Sequence, residues 1–228
     1  MIAGGNLRYT ALVHNREADP ARPYSGEELA ILGGARFSSA LAAITSWPGY
    51  VPTPLQILPR LAATLAVGAV RYKDESERFG LKSFKALGGA YAVSRLVSGH
   101  SNPAAFTVTC ATDGNHGRSV AWGARHFGCR CVIFVHQRVS AARAAAIEHY
   151  GAEVRRVQGN FDDAVRHCAR IAEEERWTVV SDTSYPGYMD IPRDVMQGYG
   201  VLMHEAIDQM GGAVAADREV VKLDVASG

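Results

Sequence analysis

The sequence predicts an α/β fold with an open sheet of parallel strands, because short β-rich segments alternate with helical segments from residue 106 onward. Strands that are separated by helices can pair in parallel through crossover connections. The composition is that of a globular protein: 47% of the 228 residues are hydrophobic, and 24 basic residues balance 23 acidic ones. This net charge of +1 argues against a protein that binds nucleic acid through its charge.

Each segment of the alternation has its own signal in the sequence. The predicted strands are residues 106–110, 131–135, 154–157 and 178–181, and the predicted helices between them are residues 115–127, 141–150 and 161–176. Ser140 is a suitable N-cap for the second of these helices, and Gly151 ends it. A last helix is predicted from Arg193, just after Pro192, to about Met210.

The first hundred residues are less regular. They predict an extended arm over residues 1–22, a short helix from Ser25 to Glu28, and a proline-rich loop over residues 47–55. The apolar runs are far shorter than the roughly 20 residues of a membrane helix, and no signal-peptide pattern begins the chain, so a cytoplasmic protein is expected. The four cysteines form no C-x-x-C pair and the histidines lack metal-site spacing, which predicts reduced thiols and no metal site.

Lys85 is the first residue that could carry chemistry. It ends a Ser-Phe-Lys segment that precedes an apolar helix, so its amine is expected near a helix N-terminus and beside hydrophobic side chains. Both surroundings favour the neutral amine, which is the form that attacks an aldehyde to give an imine. Taken alone, a lysine in such a position is more often an ordinary, partly exposed helix residue.

A second candidate segment is Thr-Asp-Gly-Asn-His-Gly at residues 112–117, between a predicted strand and the following helix. Ligands of open α/β sheets bind at such positions, beyond the carboxyl ends of the strands. Gly114 allows close backbone approach, Asn115 offers a donor and an acceptor, and Asp113 can act as a base if burial raises its pKa. The same residues also suit an ordinary Asp-Gly turn with Asn115 as a helix cap.

Together, the two segments resemble the pyridoxal-phosphate enzymes of the tryptophan synthase β-subunit superfamily, which are called fold type II. The shared features are the Ser-x-Lys motif, the Gly-Asn-His segment and a Pro-Thr-Pro-Leu element at residues 52–55. Within that superfamily the chain is most similar to the diaminopropionate ammonia-lyases. The similar blocks appear in the same order and cover approximately residues 50–210: R-F-G-L-x-S-F-K-x-L-G-G-x-Y-A, T-D-G-N-H-G-R, Asp182-Thr183, Pro192 and M-Q-G-Y.

The resemblance implies how the cofactor, pyridoxal 5′-phosphate, is held. Lys85 would bind its aldehyde as an imine, and Asn115 would hydrogen-bond its ring oxygen. Phe84 and Gly114 would lie beside the cofactor.

The resemblance also implies an acid–base pair, Asp113 and Asp182. The family acts on both enantiomers of 2,3-diaminopropionate, which requires a proton acceptor on each face of the cofactor-bound substrate. The implied reaction is an α,β-elimination that yields pyruvate and ammonia, with a small amino acid as the substrate. Taken alone, Asp182 suits an ordinary turn at a strand end equally well. A homodimer is expected from the resemblance, and neither a nucleic acid nor a membrane is expected as a partner.

In this fold a small domain is inserted into a larger one. The resemblance therefore predicts the first part of the large, cofactor-binding domain at residues 1–98, a small α/β domain at 99–190, and a return into the large domain at 191–228. The superfamily's glycine-rich phosphate loop and its pyridine-nitrogen ligand lie after the matching region, so weak cofactor binding is expected. Two alternatives stay open: a catalytically inactive, truncated fragment of such an enzyme, and a related serine or threonine dehydratase.

Overall fold

The structure is a computed structural model that describes residues 19, 21–23 and 25–211. Most of the arm expected at residues 1–22, and the end of the segment 191–228, lie outside the described residues. In chain order the helices and strands are α1 (Gly26–Leu32), α2 (Gly34–Thr45), β1 (Leu55–Ile57), α3 (Pro59–Leu65), β2 (Arg71–Lys73), α4 (Lys85–Val97), β3 (Thr107–Ala111), α5 (Asn115–Phe127), β4 (Arg130–His136), α6 (Ala141–Glu148), β5 (Glu153–Val157), α7 (Phe161–Glu175), β6 (Thr178–Val179) and α8 (Asp190–Gln209).

The predicted parallel sheet is confirmed. Its four strands lie in the order β5-β4-β3-β6, and every neighbouring pair is parallel. The chain winds outward from β3 to β4 and β5, and α7 then returns it to β6 on the other side of β3. A separate two-stranded antiparallel sheet joins β1 to β2.

Strand β4 is buried on both faces, which explains its almost uninterrupted apolar sequence. Ile133 and Val135 pack into the hydrophobic cluster formed with α4 and α5. Val132 and Phe134 point to the opposite face, where they pack with Cys168 of α7. Helices therefore cover both faces of the sheet.

The helix and strand boundaries differ from the sequence prediction at a few places. Helix α8 begins at Asp190 rather than Arg193, because Pro192 fits the first helical turn, where a backbone N–H has no helical partner to lose. Helix α1 has the predicted Ser25 cap but continues to Leu32. Strands β1 and β2 and helices α2 and α3 were not predicted. Within the described part of the chain, no helix is long and apolar enough to cross a membrane.

A buried cluster of charges ties the segments before α4 to helix α8. The guanidinium of Arg78 contacts Glu205 at 2.7 Å and Glu75 at 2.8 Å, and the Lys73 amine lies 2.8 Å from Glu205. Thr53, from the Pro-Thr-Pro-Leu element, adds a hydroxyl that accepts from Arg78. Burial alone would raise the pKa of Glu205, but the two cations outweigh it and hold that pKa below its usual value. Two positive charges thus balance two negative ones away from water.

Helix α4 packs unusually close to its two neighbours, because glycines lie at both contacts. A Cβ added to Gly198 of α8 would lie 2.3 Å from the Leu87 carbonyl oxygen and 2.8 Å from the Gly88 Cα. On the other side of α4, a Cβ added to Gly123 of α5 would lie 2.8 Å from the Ala90 Cα. Only glycine permits backbones to approach this closely.

We therefore expect Gly198→Ala to destabilise the protein by about 1 to 3 kcal/mol, because the new methyl group meets backbone atoms that cannot rotate away. The measurement is the free energy of unfolding in denaturant. Gly34→Ala in α2 is the matched control: the added Cβ meets nothing within 4 Å, so stability should be unchanged or slightly higher. Equal stabilities of the two variants would contradict the close-packing account.

Candidate active site

A cavity of about 330 Å³ lies at the carboxyl edge of the parallel sheet, where the loops after several strands meet. The chain leaves β3 toward β4 on one side and returns to β6 on the other, so this edge is a topological switch point, the usual ligand site of open α/β sheets. The lining residues come from α4, from the end of β3 and from the segments that follow the four strands: Lys85, Ala111, Thr112, Asp113, Gly114, Asn115, His116, Arg143, Phe161 and Asp182. The structure thus brings together five of the six residues that the sequence singled out.

Lys85 is the first residue of α4, as the sequence predicts. Its amine lies 2.5 Å from Oδ2 of Asp182, which makes a charge-assisted hydrogen bond. The amine also lies about 5 Å from two aromatic ring centroids, 5.3 Å for Phe84 and 5.2 Å for Tyr199. Phe84, the sixth predicted residue, thus flanks the lysine without lining the cavity.

Two serines hold the backbone of Lys85. Its N–H donates to the hydroxyl of Ser83 at 3.2 Å, and its carbonyl accepts from the hydroxyl of Ser119 at 2.6 Å. Since Ser119 belongs to α5, this second hydrogen bond sets the start of α4 against the helix that carries Asn115.

Asp182 is a carboxylate at neutral pH. Burial alone would raise its pKa, but interactions with His116 and Lys85 and a backbone hydrogen bond outweigh burial and lower it. Its side chain is 28% exposed, so it reaches the cavity while remaining partly shielded from water.

His116 is buried behind Asp182. Its Nε2 lies 2.8 Å from the carbonyl oxygen of Val180, and its Nδ1 lies 3.7 Å from Oδ2 of Asp182. A carbonyl can only accept, so Nε2 carries a hydrogen. Burial is the main reason that the pKa of His116 lies below its usual value, and the charge of Lys85 lowers it further against the opposing effects of Asp182 and Val180. At neutral pH the ring is therefore neutral, with an unprotonated Nδ1.

The turn between β3 and α5 is organised by Thr112. Its hydroxyl oxygen accepts from the N–H of Gly114 at 3.0 Å and from that of Gly117 at 3.1 Å. A Cβ on Gly117 would lie 2.4 Å from Cγ2 of Thr112, so this position requires glycine. The turn places Asn115 at the first position of α5, with its side chain at the cavity.

Asp113 lies at the cavity in different surroundings from Asp182. Its side chain is 62% exposed and contacts Nε2 of His136 at 2.9 Å. In the sequence analysis, burial is the condition for Asp113 to act as a base, and Asp113 is not buried.

Sequence reasoning missed several residues of the site. It did not identify the roles of Thr112 and Ser119, and it assigned no acid–base role to His116. It also missed Arg143 and Phe161, which line the cavity from the first turns of α6 and α7. The alternation of strands and helices contains a signal for these two, because helices that follow parallel strands begin at the same edge of the sheet.

The residues present fit the aldehyde and ring of pyridoxal 5′-phosphate. The Lys85 amine can bind the aldehyde, and the Asn115 amide can hydrogen-bond a ring oxygen. Gly114 leaves the cavity rim free of a side chain. The cavity also has the size of a small-molecule pocket, which begins at about 300 Å³.

Comparison with known proteins agrees with this fit. A family model described as pyridoxal-phosphate dependent enzyme matches residues 46–224. The diaminopropionate ammonia-lyase of Salmonella typhimurium is 38% identical over 205 residues, which are 82% of this chain and 51% of that protein. The enzyme of the same name from Escherichia coli K12 is 42% identical over 177 residues, 71% of this chain and 44% of that protein.

A solved structure supports the same relationship. The crystal structure of the Escherichia coli diaminopropionate ammonia lyase in complex with D-serine has a TM-score of 0.76 at 37% identity, covering 80% of this chain and 50% of that one. The chain therefore spans about half the length of the relatives it matches.

Thr112→Val should destabilise the turn, because valine keeps the shape of threonine but leaves the N–H groups of Gly114 and Gly117 without their acceptor. We expect a loss of about 1 to 3 kcal/mol in the free energy of unfolding. Thr112→Ser keeps the hydroxyl and should recover most of the loss. If the serine variant is no more stable than the valine variant, the hydroxyl does not organise this turn.

Proposed function

We propose, since this chain belongs to the pyridoxal-phosphate dependent enzyme family, that it carries the site for the α,β-elimination of 2,3-diaminopropionate to pyruvate and ammonia. The observation that carries the proposal is the Lys85 amine at 2.5 Å from Asp182 in a cavity that Asn115 and Asp113 also line. Relatives that are 38% and 42% identical bear the name diaminopropionate ammonia-lyase, which favours this substrate.

The positions of the binding residues support the following roles. Lys85 binds the cofactor aldehyde, and Phe84 and Tyr199 pack around its amine. Asn115 holds the ring oxygen, and Gly114 lets the backbone approach the cofactor. The cofactor, when bound, supplies an electron sink that makes the Cα–H bond of the substrate acidic.

The two carboxylates accept the Cα proton. Asp182 follows β6 and Asp113 follows β3, so they enter the cavity from different loops. We assign each to one face of the bound substrate, and hence to one enantiomer. Asp182 is already ionised at neutral pH, which a proton acceptor requires.

The remaining parts of the proposal come from the resemblance. We propose a large cofactor-binding domain that begins with residues 1–98, a small domain at 99–190 and a return into the large domain at 191–228. We also propose a homodimer in the cytoplasm, with a small amino acid as substrate. Sedimentation velocity of the purified chain tests the dimer.

The first test is covalent trapping of the cofactor. The purified chain is incubated with pyridoxal 5′-phosphate and reduced with borohydride, and the modified peptide is mapped by mass spectrometry. We expect stoichiometric labelling of Lys85, no site-specific label in Lys85→Ala, and unchanged labelling in Lys82→Ala, which removes an exposed lysine three positions away. Labelling scattered over surface lysines, or none, would favour the alternative of a catalytically inactive piece.

The second test separates the two carboxylates. Asp113→Asn and Asp182→Asn should each slow elimination from one diaminopropionate enantiomer about a hundredfold, and from the other much less. The control is Asp162→Asn, at an exposed position of α7, which should leave both rates unchanged. Equal losses on both enantiomers would contradict the two-face assignment. Ammonia release from serine and threonine alone would favour the dehydratase.

A further inference from the structure

The proposed reaction assigns no role to the buried Nδ1 of His116. Its side chain is 8% exposed, and Nδ1 has no hydrogen-bond partner among the described residues. The hydrogen on Nε2, which bonds to Val180, leaves Nδ1 with a lone pair and no hydrogen, 3.7 Å from Oδ2 of Asp182. Two acceptors make no hydrogen bond with each other, whereas one added proton would allow one.

We propose that His116 is the positioning residue for Asp182 and the second site for the proton that Asp182 takes from the substrate. This inference rests on the proposed function of Asp182 as a proton acceptor. The Cα–H bond breaks, its electron pair stays with the substrate, and the proton binds Oδ2 of Asp182. The acid then donates its hydrogen to Nδ1 of His116, and transfer of that proton restores the carboxylate. For this transfer, the distance from Nδ1 of His116 to Oδ2 of Asp182 must shorten by about 0.8 Å to reach ordinary hydrogen-bond length.

The charge of Lys85 controls this proton site. The Lys85 ammonium lies 2.5 Å from the same Oδ2 that is 3.7 Å from Nδ1, so it competes with a protonated His116 for one oxygen. Loss of the charge on Lys85 leaves that oxygen to a protonated His116. The proton site is thereby linked to the state of the lysine that binds the cofactor.

The charged groups that influence His116 are Asp182, in the loop after β6, and Lys85, at the start of α4. Cys110 of β3 interacts with Asp182, but burial raises the pKa of its thiol well above the usual value, so it stays neutral. Among the described residues, Tyr199 of α8 also interacts with Asp182, but burial raises the pKa of its hydroxyl well above the usual value, so it stays neutral. The positive charge of Lys85 and the negative charge of Asp182 therefore act in opposite directions on His116.

The test is a titration of His116 in the purified chain without cofactor. The imidazole carbon–hydrogen signals of histidine-labelled protein are followed by NMR from pH 5 to 9, and His116→Gln identifies the signal. We expect Lys85→Met to raise the titration midpoint of His116 by about one pH unit and Asp182→Asn to lower it. Lys82→Met, which removes an exposed charge nearby, should leave it unchanged. The proposal is overturned if the midpoint is unchanged in Lys85→Met and Asp182→Asn. It is also overturned if His116 stays neutral over the whole pH range in Lys85→Met.

A second measurement uses the chain loaded with cofactor. His116→Gln can keep an N–H directed at Val180, but its amide cannot take up a proton. We expect exchange of the substrate Cα hydrogen with deuterated water to fall about tenfold for the enantiomer that depends on Asp182, and its pH profile to lose one ionisation. An unaltered rate and profile would overturn the proton-site role. If borohydride reduction does not label Lys85 but the titration midpoint of His116 shifts as expected, the proposed function is wrong. The coupling of His116 to Asp182 and Lys85 is then still supported.

Discussion

The close approach of α4 to α5 and α8 is the constraint on which the site depends. Glycines at both contacts let the helix backbones approach until an added methyl group would overlap backbone atoms. Because Lys85 opens α4 and Asn115 opens α5, this packing carries the amine and the amide to the same cavity. The Ser119 hydroxyl on the Lys85 carbonyl then fixes the registry between the two helices. Gly88 and Gly89 of α4 lie at the same two contacts, because an added Cβ would lie 2.4 Å from the Tyr199 ring of α8 and 2.5 Å from the Ser119 hydroxyl of α5, respectively.

The buried charge cluster fixes the other end of this arrangement. Arg78 and Glu205 join the turn before the lysine to α8, and Thr53 joins the Pro-Thr-Pro-Leu element to both. A buried ion pair of this kind is weak evidence for stability, since desolvation offsets much of the Coulomb attraction. The cluster instead restricts geometry, because a guanidinium that hydrogen-bonds to several acceptors can occupy few alternative positions. Sequence blocks that lie far apart along the chain therefore meet in one place.

The sequence predicted the parallel sheet and most of its helices because both have strong periodic signals. Helix α5, for example, begins at Asn115 and ends before Gly128, as predicted. Strands β1 and β2 have three residues each, too few for an alternating pattern to be recognised, and their position comes from tertiary packing. For the site, the sheet-edge rule located the turn before Asn115. The contact of Lys85 with Asp182 joins residues 97 positions apart, and only the family resemblance suggested it.

The two carboxylates of the cavity have different surroundings, although they belong to the same residue type. Asp182 is partly shielded from water, and its Oδ2 lies 2.5 Å from the Lys85 amine and 3.7 Å from Nδ1 of His116. Asp113 is largely exposed and contacts His136 at the rim. In the proposed mechanism, a proton on Asp182 would pass to the buried His116, whereas a proton on Asp113 would pass to water. In the proposed reaction, this difference in surroundings, rather than in residue type, would give the two side chains separate acid–base roles.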